Sequence, residues 1–471
     1  MKFKKQLSAI MAGLMAVSVL AGCASSSAES KSGASSGAAG AATGAVTVDF
    51  WTAPQVVQYN YWVAKAKVFN ATKTVVNGKT ITVKVQQMPE SPSSEAGIQN
   101  AIVTGTVPAI SENINRGFAT TLSDSDAIYD LQNEDWFKEA IAAKGITDSI
   151  SSWKIGDKQY VLPEYVNPML WQWNSKGLKA LGFTSPPTTV AEFDAVLKAY
   201  TDNKSKMTAL GINHTLYRPS LSRGDQWWDR WQDFQMPYMA LSGKTQWVEG
   251  DKLMLDRQGA IDAFELIGKF GNTIQTAELS SVWTDKKPSV LVTINAPWEI
   301  QSLRAAGKTY GIDGDYVYGS PIVKKTGDTP YNYGDAKGIV LYKNDAISND
   351  EHLGAVEFLK YCYGKKNSTQ TDLDWLNATT MLPVRGDITT NTAFAAVMKK
   401  YPELKDLAKY IPSSVPCMAS QKMTEIQTAL TESGLAPYMK AVKAAAPLNP
   451  PDASKEVDAA FSAMKQAGEL Q

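Results

Sequence analysis

Val46-Thr47-Val48-Asp49-Phe50-Trp51, the loop Thr52-Ala53-Pro54 and the run Tyr59 to Asn70 behind it decide the fold. Alternation puts Val46, Val48 and Phe50 on one face of a strand, and the spacing over residues 59–70 predicts a helix. Ile81-Thr82-Val83-Lys84-Val85 alternates again, as a half-buried strand. Asn77-Gly78 is also the dipeptide of a tight hairpin with Val75-Val76, so β–α–β and hairpin readings both stand here. Working outward, a helix through Ala96 to Val103 stops at Gly105, and Val107-Pro108-Ala109-Ile110 enters a short strand. Thr189 with Glu192 forms a capping-box pattern. The helix behind it sets Val190, Phe193, Val196, Leu197 and Tyr200 on one face. Such alternation of strand and helix predicts α/β layers with largely parallel sheets. The last third reads as mostly helical, over Leu353 to Tyr363, Thr392 to Lys400, Met423 to Glu432 and Ser454 to Gln466.

Upstream of this body, Ala24 to Gly44 is almost wholly Ser, Ala and Gly. It has nothing to bury and is expected to behave as a flexible coil reaching on the order of 25 Å. Before it come Lys2, Lys4 and Lys5, an apolar run from Ile10 to Leu20, and Leu20-Ala21-Gly22-Cys23. Charge followed by a short apolar segment is a secretion signal, too short to span a bilayer comfortably. Its last four residues resemble the bacterial lipobox. The resemblance implies a signal peptide over 1–22, acylation of the Cys23 thiol, and a linker over 23–45 that tethers the protein outside the cytoplasm to the cell membrane. An ordinary signal peptide with an incidental cysteine is the alternative.

Composition narrows the partners. The chain has 47 basic and 47 acidic residues, and without the three signal lysines 44 basic residues face 47 acidic ones. No basic patch stands out, which argues against nucleic acid. About 430 residues follow the linker, enough for two or three domains with real cores. Cys362 and Cys417 are either one disulfide or two buried thiols. With His214 and His352 the only histidines, a multi-histidine metal site or histidine-based triad has little to draw on, and no cofactor is expected. Asp124, Asp126 and Asp130 resemble part of a calcium loop, but its glycine and closing glutamate are missing, so a solvated acidic turn is expected and no metal site.

Thirteen Trp and nineteen Tyr are the other compositional signal. Several stand beside polar groups: Phe50-Trp51, Trp171-Gln172-Trp173-Asn174, Trp227-Trp228-Asp229-Arg230-Trp231 and Pro297-Trp298-Glu299. Flat rings bordered by hydrogen-bonding groups suit sugars, which offer C–H faces and hydroxyl edges. For any single ring, a place in the core is the competing reading.

A set of motifs in order resembles the sugar-binding group of bacterial extracellular solute-binding proteins, the maltose-binding-protein-like components of ATP-driven (ABC) importers. It runs from Gly156-Asp157-Lys158-Gln159-Tyr160-Val161-Leu162-Pro163 through Leu170 to Asn174, Gly182-Phe183 and Pro186-Pro187-Thr188-Thr189-Val190, where Val190 replaces the usual Trp. Leu255-Asp256 to Ala263-Phe264 resembles a helix entry after a hairpin at Ser242-Gly243. Thr293-Ile294-Asn295-Ala296-Pro297-Trp298, Gly338-Ile339-Val340, Ala355 to Leu359 and Leu382-Pro383-Val384-Arg385 complete the order.

The resemblance implies a two-lobed periplasmic-binding-protein fold (type II): two α/β lobes, a hinge of three chain crossings, and a ligand cleft between them. Lobe 1 would take 46–163 and 332–381, lobe 2 would take 164–331 and 382–471. It implies a carbohydrate ligand, an oligosaccharide by expectation, delivered by a monomer to the transmembrane subunits of an ABC permease, with no bond made or broken and no catalytic residue. Carried over residue by residue, the ligand contacts would be Trp298 as a stacking ring, Trp51 beside the first strand's loop, and Asn113, Asn115 and Arg116 after the third strand. Glu164 at the first crossing would bind a hydroxyl or serve the hinge. Trp228, Asp229 and Trp231 would set a helix against the cleft, and Asp335 would follow the second crossing. Gln421 and Lys422 fall where the family carries late stacking rings, and Trp283 to Ser289 departs from its usual pattern. Competing readings are a glycosidase drawing on Glu164, Asp229 and Glu299, a solute sensor on the same fold, or a binder of a peptide or polyanion.

Overall fold

The computed structural model describes residues 44–89, 93–218, 227–249, 251–276 and 289–471, with the side chains of 227–232 outside that description. The strands are β1 (Gly44–Thr52), β2 (Val75–Val76), β3 (Lys79–Gln87), β4 (Ile110–Asn115), β5 (Leu162–Pro168), β6 (Leu170–Asn174), β7 (His214–Tyr217), β8 (Val248–Glu249), β9 (Lys252–Leu253), β10 (Ile274–Gln275), β11 (Val290–Asn295), β12 (Tyr316–Gly319), β13 (Asn332–Leu341) and β14 (Ser414–Val415).

Both local readings of the opening stretch hold together. Helix α1 (Val56–Ala71) crosses from β1 to β3, which pair in parallel, and β2 folds back on β3 as a hairpin. The first sheet has the order β14-β13-β4-β1-β3-β2, with β5 added alongside β13. Val48 and Phe50 of β1 are fully buried with Ile81 of β3 beneath Trp62 and Phe69 of α1. The helix Ser94–Thr104 ends on Gly105 in the left-handed region, as its sequence predicts.

The second sheet runs β10-β7-β11-β6-β12. Over it lies the helix Val190–Asp202, which has the capping box of Thr189 and Glu192 and buries Phe193, Val196, Leu197 and Tyr200. Trp171 and Trp173 are fully buried here against Phe193, so this aromatic cluster is core and not a sugar platform. A further cluster joins Leu170, Val290 and Ile300 to Leu376, Leu382 and Leu404. Ser242-Gly243 does not make a hairpin. Gly243, at φ 69°, follows the end of the helix Trp227–Ser242, and the hairpin is β8–β9 further on.

The two sheets define two lobes, and the chain passes between them with little slack. It leaves the first sheet at Pro168 and enters the second at Leu170. β13 pairs with β5, while the Val166 N–H donates to the Leu382 carbonyl and the Val384 N–H to the Glu164 carbonyl. β5 therefore lies between β13 and residues 382–384, three passing segments side by side. Cys362 and Cys417 are both buried free thiols. No helix among the described residues is long and apolar enough to cross a membrane. Cys23, its signal and the linker as far as residue 43 lie outside the described residues, and Gly44 and Ala45, assigned to the linker from sequence, begin β1.

Candidate functional site

The passing strands are irregular where they meet the first lobe, and Gly338 is the pivot. Along β13 and β4, Gly338 pairs with Ile114 but Val340 pairs with Ser111, so Glu112 and Asn113 together oppose Ile339 alone. On the other side Lys337 pairs with Tyr165 and Gly338 with Pro163, which leaves Glu164 as the extra residue. These are two β-bulges, devices that bend a strand and re-aim its side chains. Asn113 sits at φ 65°, in the left-handed region that Asn tolerates better than most residues. A Cβ on Gly338 would lie 2.3 Å from the Leu162 carbonyl oxygen, so this close approach requires glycine.

Glu112 is fully buried and is the centre of the site's hydrogen bonding. Its Oε1 accepts from Thr52 Oγ1 and from the Ala53 N–H, each at 2.6 Å, and Gln58 Nε2 reaches both carboxyl oxygens at 3.3 Å. Burial pushes its carboxyl up to about 7, while the donors Thr52 and Ala53 and the charge of Lys337 pull the other way. Glu164 is 2 % exposed, and neither of its carboxyl oxygens has a hydrogen-bond partner. Burial raises it well above the carboxylate range, and the neighbouring Glu112 raises it further. The carboxyl thus lies inside the lobe beside Glu112. At the first crossing Glu164 is therefore a buried neighbour of Glu112.

Below the bulges a charged cluster ties the third passing segment down. Asp372 holds Lys144 at 2.8 Å and Arg385 at 3.0 Å, all three buried, and Arg385 also reaches Asp387 at 2.7 Å. Desolvation lowers Lys144, offset by Asp372.

The other predicted residues surround these strands unevenly. Asn113 Oδ1 accepts from Tyr165 Oη, and the Tyr165 ring stacks on Trp375. Asn115 caps the helix Arg116–Asp124 by accepting from the Phe118 N–H, and it also accepts from the Cys417 thiol. Arg116 turns both Nε and an Nη to the Lys154 carbonyl, so its fork closes a loop within the first lobe. Asp335 stands directly opposite Asn167 in the β13–β5 ladder and 3.8 Å from Lys337. Trp51 is half-buried beside Ser111 in the β1–β4 pairing.

Trp298 is 37 % exposed on the 3-10 turn that follows β11, and that turn is tied to the passing segment by Thr380 Oγ1 donating to the Pro297 carbonyl. Trp228, Asp229 and Trp231 fall in the first turns of the helix Trp227–Ser242, their side chains outside the described residues, as does most of the departure at Trp283 to Ser289. Asp130 accepts from the Gln132 N–H, Asp126 pairs with Lys343, and Asp124 accepts from Gln421, three separate roles.

Sequence reasoning missed Glu112, Asn167 and Lys337. Asn167 is fully buried with both amide atoms unpartnered. A lone acid after Ala109-Ile110-Ser111, inside an otherwise buried strand, was the available signal for Glu112. Two surface hollows, of about 340 Å³ beside Tyr59 and Val63 and about 610 Å³ beside Tyr129 and His352, lie elsewhere on the first lobe.

The family model of bacterial extracellular solute-binding proteins matches residues 64–406. This chain belongs to that family. A Listeria monocytogenes protein of uncharacterised function is 30% identical in a solved structure, over 90% of this chain and 98% of that one, with a TM-score of 0.73. The cyclic α-maltosyl-1,6-maltose-binding protein of Arthrobacter globiformis shares 15% identity over 90% and 99%, with a TM-score of 0.68. Maltose-bound MalE3 of T. maritima shares 14% over 91% and 100%, with a TM-score of 0.66. These last two likenesses establish the two-lobed fold of a solute-binding protein. No curated protein sequence matches the chain.

Proposed function

We propose that this solute-binding protein captures a carbohydrate, by expectation an oligosaccharide, between its lobes and delivers it unchanged to an ABC permease. The observation that carries this reading is one ring on each lobe, Trp298 exposed and Trp51 half-buried. Trp51 is the last residue but one of β1 in the first lobe and Trp298 follows β11 of the second, each near a strand's carboxyl end. With them Asn113, Asn115 and Asp335 offer amide and carboxylate groups suited to hydroxyls. The names of structural neighbours agree in chemistry: they include proteins bound to α-D-tagatose, maltose and maltotriose. A solute that touches both lobes would stabilise their closed arrangement, so occupancy becomes a shape a permease can read.

The same reading keeps the lobes at 46–163 with 332–381 and at 164–331 with 382–471, except that β5 carries the first sheet on to Pro168 before the chain crosses. It keeps Trp228, Asp229 and Trp231 as ligand candidates, the protein as a monomer without catalytic activity, and Cys23 as its lipid anchor. A thermal-shift screen of mono- and oligosaccharides tests it. At least one sugar should raise the melting temperature; a peptide or polyamine that does so while every sugar fails would overturn the carbohydrate assignment.

A further inference from the structure

A fully buried carboxyl next to a second one is an expensive way to fill a core. Burial disfavours the charge, the neighbour disfavours it again, and an amide or apolar residue of similar size would avoid both effects. Yet the strands carry two bulges, one at Glu112 and one at Glu164, and the two carboxyls stand close enough to act on each other. What Glu112 obtains there is specific. A single oxygen, Oε1, takes the Thr52 hydroxyl and the Ala53 N–H at 2.6 Å each, the two residues that follow Trp51. Gln58, on the first turn of α1, closes the other side of that loop. The loop between β1 and α1 is therefore held by one side chain 59 residues away in sequence from Ala53. Buried polar groups that oppose stability and fix one loop are expected at functional positions.

We propose that Glu112 is a positioning residue for the solute site: by gripping Thr52 and Ala53 it sets the Trp51–Ala53 loop in its binding geometry before a solute arrives. This rests on the reading of Trp51 as a ligand-facing ring. Glu112 itself touches no solute. Its contribution to affinity is the ordering of the loop, which a free loop would otherwise undergo on binding.

The variants Glu112→Ala and Glu112→Gln separate this role from a purely structural one. Gln keeps an oxygen that accepts from Thr52 and Ala53; Ala keeps none. In the sugar-free protein, amide hydrogen exchange at Ala53 should quicken by roughly tenfold or more in Glu112→Ala and stay near the wild-type rate in Glu112→Gln. Titrated with maltotriose, or with whichever sugar gives the largest thermal shift, Glu112→Ala should bind about tenfold more weakly. Its melting temperature should fall as well, because the buried Thr52 hydroxyl and Ala53 N–H lose their acceptor, and Glu112→Gln should restore both slow exchange and affinity. Unchanged exchange at Ala53, or unchanged affinity, in Glu112→Ala would overturn the proposal. If the alanine variant does not fold, the glutamine variant decides: exchange at Ala53 faster than wild type by tenfold would overturn it, and wild-type exchange and affinity would support it. A wild type that binds no sugar overturns the carbohydrate reading instead, and the exchange result then decides the role of Glu112 alone.

Discussion

Tyr165 donates its phenolic hydrogen to Asn113 Oδ1 at 2.7 Å, joining the bulged residue of one strand to the bulged segment of another. The two strands are not neighbours, since β13 runs between them. The bond bridges over that strand and fixes Asn113, whose backbone is already in the left-handed region. Tyr165→Phe should keep the ring on Trp375 and lose the phenol's hydrogen bonding to Asn113 and Gln58. We expect a loss of at least about 1 kcal/mol in chemical denaturation, the net worth of one buried hydrogen bond. A loss near zero would mean Asn113 is held by its neighbours alone.

Glu164 gives a pH dependence with a definite sign. Both acids have folded-state values above the ordinary carboxyl value of 4.5, Glu112 at about 7 and Glu164 also raised. Facing them are Lys337, Lys144 and Asp372, and the cations do not fully offset burial. The folded chain therefore binds more protons than the unfolded chain in this window. Their contribution is complete below pH 4.5 and is lost as pH rises through about 7 and beyond. Glu164→Gln, which removes the charge in nearly the same shape, should be more stable than wild type at pH 8 by on the order of 1–3 kcal/mol. At pH 4.5 the difference should vanish. Denaturation midpoints across this range check it, and a gain equal at both pH values would contradict the shared burial of the pair.

Much of the framework was legible in local sequence because local rules govern it. The capping box at Thr189, the stop at Gly105 and the alternation of Val46, Val48 and Phe50 each involve residues a few positions apart. The site was less legible because long-range register makes it. Nothing near Glu112 indicates that its partners are Thr52 and Ala53, or that Glu164, 52 positions on, would stand close to it at a second bulge. The ring clusters misled for a related reason: Trp171-Gln172-Trp173 and Pro297-Trp298-Glu299 look alike as sequence. A central strand buries the first pair, whereas a turn after a strand leaves Trp298 exposed. Arg116 has the right chemistry for a sugar, but the Lys154 carbonyl already occupies its fork.

Trp298→Ala separates affinity from stability at the second lobe. The ring is too exposed to support much of the core. Its loss should weaken sugar binding by roughly 1–3 kcal/mol, from the apolar area a stacked sugar would cover. The melting temperature of the sugar-free protein should barely move. Titration calorimetry beside a thermal melt reads both quantities, and unchanged affinity would remove Trp298 from the site.

The proposed function requires two lobes to close on a sugar and leave it intact. Small-angle X-ray scattering of the folded chain, with and without a saturating sugar chosen by thermal shift, tests it most directly when the sugar is recovered and assayed afterwards. Binding should give a smaller radius of gyration and full recovery of the sugar; an unchanged radius at saturation, or a cleaved sugar, would rule out the proposed function.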